Sequence, residues 1–173
     1  MPTEMSDALE LGRSSSGGRL LAWSSLVGGG AVAATVQELR IVTPRAEKIF
    51  RPWSDVDRAV WEQDSRTLVV WWVGSRRTTG LEIQDDVGRL PEVIRERVQS
   101  SVVLSATVPL PNGRNGRVAL RRGPDGVLLA QTLVPPGTKE DAPDVAPVLA
   151  AALASLWSEA GDHGLNETAV PKI

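Results

Sequence analysis

The stretch RTLVVWWVG, residues 66–74, carries the clearest strand signal in the chain. β-Branched and aromatic residues, which are enriched in β-strands, fill it almost without interruption, and Gly74 ends it. Its apolar residues are continuous rather than alternating, which predicts a strand with both faces covered. Gly74 and Ser75 predict a tight turn, and residues 77–83 return as the paired strand. We therefore expect an antiparallel hairpin over residues 66–83.

Short apolar or β-branched runs, separated by Gly and Pro, predict further strands on both sides of this hairpin. They lie at residues 20–23, 31–36, 39–42, 48–51, 102–108, 117–121 and 127–134. Between them, residues 53–61 predict a short helical turn that Ser54 or Asp55 caps, with Val56, Ala59 and Val60 on one side.

Two segments show helical periodicity. Leu90, Ile94 and Val98 form an apolar stripe over residues 90–100, which predicts a short mid-chain helix. Residues 144–160 form the clearest helix, with Asp144 as its cap and Gly161 at its end. The residues of this helix that we expect to bury against the sheet are Leu149, Leu156 and Trp157.

The fold class predicted from these elements is mainly β, a β-rich α+β domain. We expect a roll or barrel of about seven to nine antiparallel strands, with a mid-chain helix and a C-terminal packing helix over residues 144–160. The 173 residues fit a single domain, which we place at residues 18–160. Residues 1–17 are expected to form a disordered N-terminal tail, and residues 161–173 a flexible C-terminal tail.

Composition excludes several classes of chemistry. The chain contains no Cys, which excludes disulfides, thiolate metal sites and a Cys nucleophile. The net charge of −2 gives no bulk attraction to nucleic acid or membrane. The N-terminus lacks the basic and apolar regions of a signal peptide, and apolar stretches of roughly ten residues fall short of the ~20 that span a bilayer. We expect a cytoplasmic protein without a transmembrane segment.

No catalytic or metal-binding pattern is recognisable in the sequence. His163 is the only His, and no partners stand at a fixed spacing from it. Asp55 with Asp57, and the pair at 85–86, suit capping and solvation better than cation binding, because hard cations need more oxygen ligands. The glycines at 28–30 lack the Lys-Ser/Thr partner of a phosphate loop. We therefore expect no catalytic residue, no metal and no cofactor.

Arginine clusters supply the candidate ligand-binding residues. They are Arg114, Arg117, Arg121 and Arg122 on one predicted hairpin, and Arg76 and Arg77 at another turn. A guanidinium group on a rigid β-surface can bind phosphate through two parallel hydrogen bonds. Arg117 and Arg121 share strand parity, so we expect both to project from one exposed face. The alternative is an ordinary solvated surface.

Two parts of the sequence resemble known groups of proteins. The order of elements is one of meandering strands followed by a terminal helix. With the pattern VAAT (32–35), IFRPW (49–53), AVW (59–61) and LVV (68–70), that order resembles bacterial pleckstrin-homology-like (PH-like) domains. The stretch LPEVIRERVQSSVV, residues 90–103, resembles a segment of uncharacterised actinobacterial proteins. The resemblance implies a binding or assembly role without catalysis, with the strand-connecting loops as natural ligand sites.

The function expected from the sequence is a non-catalytic cytosolic interaction or ligand-binding module. Its partner is an unknown protein or an anionic ligand. Two alternatives stay open: a hydrolase-type enzyme that uses only Asp, Glu, Arg and Ser groups, and a weak binder of nucleic acid or another polyanion through the arginines. A deep pocket of acids would favour the enzyme, an exposed apolar patch a protein partner, and a continuous arginine face a polyanion.

Overall fold

The computed structural model describes residues 18–163, and they form ten strands in three antiparallel sheets together with two helices. Contacts divide the chain into two compact units, with the boundary between Ser100 and Ser101. Each unit has its own main hydrophobic cluster, where the sequence predicts one domain over 18–160. The predicted tails at 1–17 and 161–173 lie outside the described residues, except for residues 161–163, the first two of which belong to the C-terminal helix.

The first unit contains two sheets. The strands β1 (Leu20–Ser25), β2 (Ala31–Thr35), β3 (Glu38–Val42) and β4 (Lys48–Pro52) form a four-stranded sheet in chain order. The strands β5 (Val56–Glu62), β6 (Thr67–Trp72) and β7 (Thr78–Glu82) form a three-stranded sheet, also in chain order. An isolated bridge between Leu26 and Ile83 joins the end of β1 to the end of β7. The helix α1 (Leu90–Ser101) follows these seven strands.

The strand β5 corrects the prediction of a helical turn at 53–61. Only Trp53–Asp55 is helical, as one 3₁₀ turn, and the chain is extended from Val56 onward. Ala59 and Trp61 pack against the core while Val60 between them is exposed, which is the two-residue period of a strand. Apolar residues at 56, 59 and 60 have helical spacing, and the bulge between Val56 and Arg58 hides the two-residue period of the strand in the sequence. With this strand the count is ten rather than seven to nine.

The core of the first unit lies between its sheets and α1. Leu90, Ile94 and Val98 are buried in the same cluster as Leu68 and Val70, which confirms the predicted apolar stripe. Since both sheets and the helix contribute to one cluster, the three-stranded sheet has one face fixed against the core.

The turn between β1 and β2 depends on Gly30. This residue has φ +84°, and a Cβ added to it would lie 2.1 Å from the carbonyl oxygen of Val42. The positive φ disfavours any L-residue, and the Val42 oxygen belongs to the backbone of β3 and cannot rotate away.

We expect Gly30→Ala to destabilise the protein more than Gly74→Ala, which serves as the matched control. Gly74 has a similar φ of +72° but nothing within 4 Å of its added Cβ. Gly74→Ala should therefore show only the conformational cost of about 1–2 kcal/mol. Urea unfolding followed by circular dichroism measures both, and equal losses would show that β3 moves aside without cost.

The second unit pairs one sheet with one helix. The strands β8 (Val102–Pro109), β9 (Asn115–Arg122) and β10 (Leu128–Leu133) form a sheet with β9 in the centre, and α2 (Ala146–Asp162) packs against β8 and β9. Leu149 and Leu156 are buried as predicted, whereas Trp157 is only partly buried. The predicted cap is wrong, because Val145 occupies the N-cap position and makes no side-chain capping bond. The helix also continues through Gly161.

The predicted fold class is confirmed: the protein is a β-rich α+β chain with a mid-chain helix and a C-terminal helix. The predicted closure is not. Over residues 18–163 the strands form three open sheets, and no closed barrel is present among them.

Candidate functional site

The candidate site is the solvent-facing side of the β5–β6–β7 sheet, which we call the outer face. Leu68, Val70 and Trp72 of β6 point into the core, so the alternate residues of the sheet point away from it. The strand register arranges those residues in three rows across the sheet: Arg58–Trp71–Thr78, Val60–Val69–Gly80 and Glu62–Thr67–Glu82. We call them the basic row, the apolar row and the acidic row.

The two adjacent tryptophans show how the strand sorts its side chains. Trp72 packs against the core, and its indole N–H donates a hydrogen bond of 2.8 Å to Thr79 Oγ1. Trp71 points to the outer face, because adjacent residues of a strand point to opposite sides of the sheet. The sequence also predicts that both faces of this strand are covered. That prediction is wrong, since Val69 and Trp71 remain partly exposed.

The basic row is built around Trp71. The Arg58 guanidinium carbon lies 4.3 Å from the centroid of the Trp71 ring, a cation–π contact that holds the two side chains together at the surface. A bulge between Val56 and Arg58 shifts the register of β5, so that Arg58 lies opposite Trp71 on the neighbouring strand. The row therefore presents a cation on an aromatic platform.

The turn after β6 adds two of the predicted ligand-binding residues to this end of the sheet. Arg76 and Arg77 are exposed, and neither takes part in an ion pair between residues 18 and 163. Ser75 Oγ accepts a 3.1 Å hydrogen bond from the Arg77 backbone N–H and fixes the turn. The positive charge of this end is thus not neutralised within the described chain.

The apolar row lies in the middle of the outer face. Val60 is 42% exposed, and Val69 beside it is partly exposed. Gly80 completes the row without a side chain. A short apolar strip is therefore exposed to solvent at the centre of the sheet. The other side of the sheet packs against the core.

The acidic row lies at the opposite end from the basic row. Glu62 and Glu82 are exposed on either side of Thr67. Glu62 lies four positions after Arg58 along β5, which corresponds to about 13 Å. Arg66 directly precedes Thr67 of the acidic row. Its guanidinium donates to the backbone oxygens of Ile83, Gln84 and Asp85. The outer face is therefore polarised along its strands.

Arg121 in the second unit is not where the sequence predicts. Its side chain is 2% exposed, and its Nε donates a 3.1 Å hydrogen bond to Ser101 Oγ. Arg117 shares its strand parity but is exposed, because that face of β9 passes from solvent at Arg117 to the interior at Ala119 and Arg121. Burial removes Arg121 from the set of surface ligand-binding residues.

The other arginines of this hairpin do not form one surface. Arg117 and Arg122 have opposite strand parity and so project from opposite faces of β9. Arg114 donates to the backbone oxygen of Pro136, and Arg122 donates to that of Gly126 at 3.3 Å. Arg114 and Arg122 thus tether the loops around them, and these arginines do not form the continuous face that would favour a polyanion.

Sequence reasoning missed a buried charge in the first sheet. Arg40 is 1% exposed, its Nε lies 2.6 Å from Glu38 Oε1, and its guanidinium carbon lies 5.2 Å from the centroid of the Phe50 ring. The alternation of charged and apolar residues from Glu38 to Ile41 was the available signal. This arrangement fixes β3 and β4 and is structural.

Between residues 18 and 163, no group of three or more His, Cys, Asp or Glu side chains is placed to hold a metal. Within the same range, no helix combines the length and the apolar character that crossing a membrane requires. His163 is exposed at the end of α2.

Comparisons with known proteins add no assignment. No protein-family model matches the chain, and neither curated proteins nor solved structures give a match to it. The functional argument therefore depends on the outer face itself.

Proposed function

We propose that the protein is a non-catalytic interaction module whose first unit is PH-like and whose docking surface is the outer face. Residues 20–101 follow the order of meandering strands and then a helix, on which the PH-like resemblance rests. Under this proposal α1, rather than α2, is the terminal helix of the PH-like unit. A cytoplasmic location, suited to a domain without Cys, and an actinobacterial origin are parts of the same proposal.

The exposed apolar row is the single observation that carries this function. Single surface valines are common, but here Val60 and Val69 adjoin each other and lie beside Trp71. An apolar patch with a polar rim marks protein interaction sites, and Trp and Arg are over-represented among the residues that dominate binding energy. A rigid sheet presents them with little loss of conformational entropy on binding.

We expect Val60→Glu to abolish the capture of partner proteins by the tagged full-length chain in native cytosol. The added carboxylate lies in the centre of the apolar row, where a docked partner would have to desolvate it. Chemical crosslinking with quantitative mass spectrometry measures the capture.

Val36→Glu is the matched control, because Val36 is 39% exposed in the same unit and lies outside the outer face. Both variants should unfold at the same urea concentration as the unsubstituted protein. Equal capture by all three proteins would contradict the proposed docking surface.

A second candidate function is the binding of an anionic ligand at the basic end of the outer face. The observation that favours it is the proximity of Arg76 and Arg77 to the Arg58–Trp71 pair, with no ion pair to either turn arginine among the described residues. Guanidinium groups bind phosphate and sulfate oxygens through paired hydrogen bonds.

Under this second candidate, the protein should bind heparin at low ionic strength, and affinity should fall steeply as salt is added. Arg76→Glu with Arg77→Glu should remove that binding, whereas Arg117→Glu in the other unit should retain it. Isothermal titration calorimetry measures the heparin affinity of each variant. Heparin affinity that is the same in both variants would assign the binding elsewhere.

A further inference from the structure

We propose that the partner of the outer face is a second copy of this chain, bound face to face about a two-fold axis that runs along the apolar row. This inference rests on the proposed docking function and names its partner. It follows from the symmetry of the charges on the face.

Opposite charges lie at equal distances on the two sides of the apolar row. Arg58 precedes Val60 by two residues on β5, and Glu62 follows it by two. A two-fold axis in the plane of contact reverses the strand direction of the second copy, so the basic row of each copy faces the acidic row of the other. Arg58 then lies opposite Glu62 of the second copy, and the contact occurs twice.

The side chains along β6 also fit this operation. The same axis places Trp71, the largest side chain of the face, opposite Thr67 of the second copy, which is much smaller. Val69 and Val60 meet their own equivalents across the axis, so the exposed apolar area is covered. Two sheets with nearly aligned strands pack about 10 Å apart in proteins, which is the geometry that this pairing requires.

Binding of an unrelated partner would require an exposed apolar centre on this chain, but no symmetric arrangement of charges around that centre. The observed order, in which a cation, an apolar residue and an anion alternate with two-residue spacing on one strand face, is self-complementary. Like charges do not meet in this arrangement, whereas a two-fold axis along the strands would place basic row against basic row and acidic row against acidic row, with Glu62 against Glu82 of the second copy. The charge pattern therefore favours the two-fold axis along the apolar row over the two-fold axis along the strands.

The expected dimer is weak and sensitive to salt. Nine residues on three strands make a contact smaller than the roughly 800 Å² that each partner contributes to a standard stable interface. Exposed charge pairs are screened by salt. Sedimentation velocity of the full chain, from about 10 µM to about 1 mM, should show a dimer at about 50 mM salt and less of it at about 500 mM.

A mixing experiment tests the symmetry directly. In Arg58→Glu or Glu62→Arg alone, like charges face each other twice, and the dissociation constant should rise at least about tenfold. In an equimolar mixture of the two variants, each reversed charge faces an opposite charge, so the mixture should form a heterodimer that neither variant forms alone. Val60→Glu should remain monomeric, and the Val36→Glu control should behave as the unsubstituted protein.

Two results would overturn the self-pairing. One is a monomer at every concentration in low salt, and the other is a mixture that associates no better than its separate components. The docking function is judged separately, by capture from cytosol. A monomeric protein that still loses a captured partner on Val60→Glu keeps the docking surface and excludes the second copy as its occupant.

Discussion

Arg121→Glu should destabilise the protein by about 3–5 kcal/mol, the range observed when one partner of a buried charge interaction is removed. The substituted side chain would replace a guanidinium that is 2% exposed and that donates to Ser101 Oγ. A carboxylate at this position would have to be desolvated without the hydrogen bonds that the arginine donates. A loss of this size is a large part of the 5–15 kcal/mol that stabilises a typical domain.

Arg117→Glu is the matched control for Arg121→Glu, because both positions belong to β9 and share strand parity. Arg117 is exposed, so its reversal should change the free energy of unfolding by less than about 1 kcal/mol. Urea unfolding followed by circular dichroism measures both variants. Identical unfolding midpoints would mean that the side chain of Arg121 reaches solvent in the native protein.

Leu149→Ala should cost about 2–5 kcal/mol, because it leaves a cavity between α2 and the sheet of the second unit. Leu149 is 2% exposed and belongs to the same buried cluster as Val118 and Leu120. No side-chain hydrogen bond caps the start of α2, so packing supplies its stability.

Leu153→Ala provides the comparison for Leu149→Ala in the same helix. Leu153 is only partly buried at the edge of the cluster, so the same truncation should cost clearly less. Thermal unfolding in the calorimeter gives both differences. A larger loss at Leu153 than at Leu149 would show that α2 packs in a different rotation from the one described.

The strands and helices that the sequence predicts well are those with a single consistent local signal. The stretch at 66–73 combines β-branched residues with a bounding Gly74, and it forms β6. The stripe of Leu90, Ile94 and Val98 fits only a helical period, and it forms α1. At 56–60 the apolar residues have helical spacing, and this local signal was misleading. Pairing of β5 with β6 decides that segment in favour of a strand.

The candidate site was recoverable from the sequence only in part. The exposed pair Arg76 and Arg77 and the opposite orientation of Trp71 and Trp72 follow from turn chemistry and strand parity. The outer face itself does not, because its rows join residues of three strands through a register that hydrogen bonding between strands sets. The sequence therefore showed where arginines cluster along the chain, but not which of them are exposed.

The sequence by itself determined the β-rich class, the two helices and their buried stripes, because strand and helix periods are local properties of the chain. Only the tertiary structure decided which residues of each strand meet solvent. Parity makes Arg117 and Arg121 equivalent, yet one is exposed and the other buried, since burial depends on what packs against each end of the strand. The same reason applies to Val60, which is part of the proposed docking surface only because β5 pairs with β6 and packs its other side against the core.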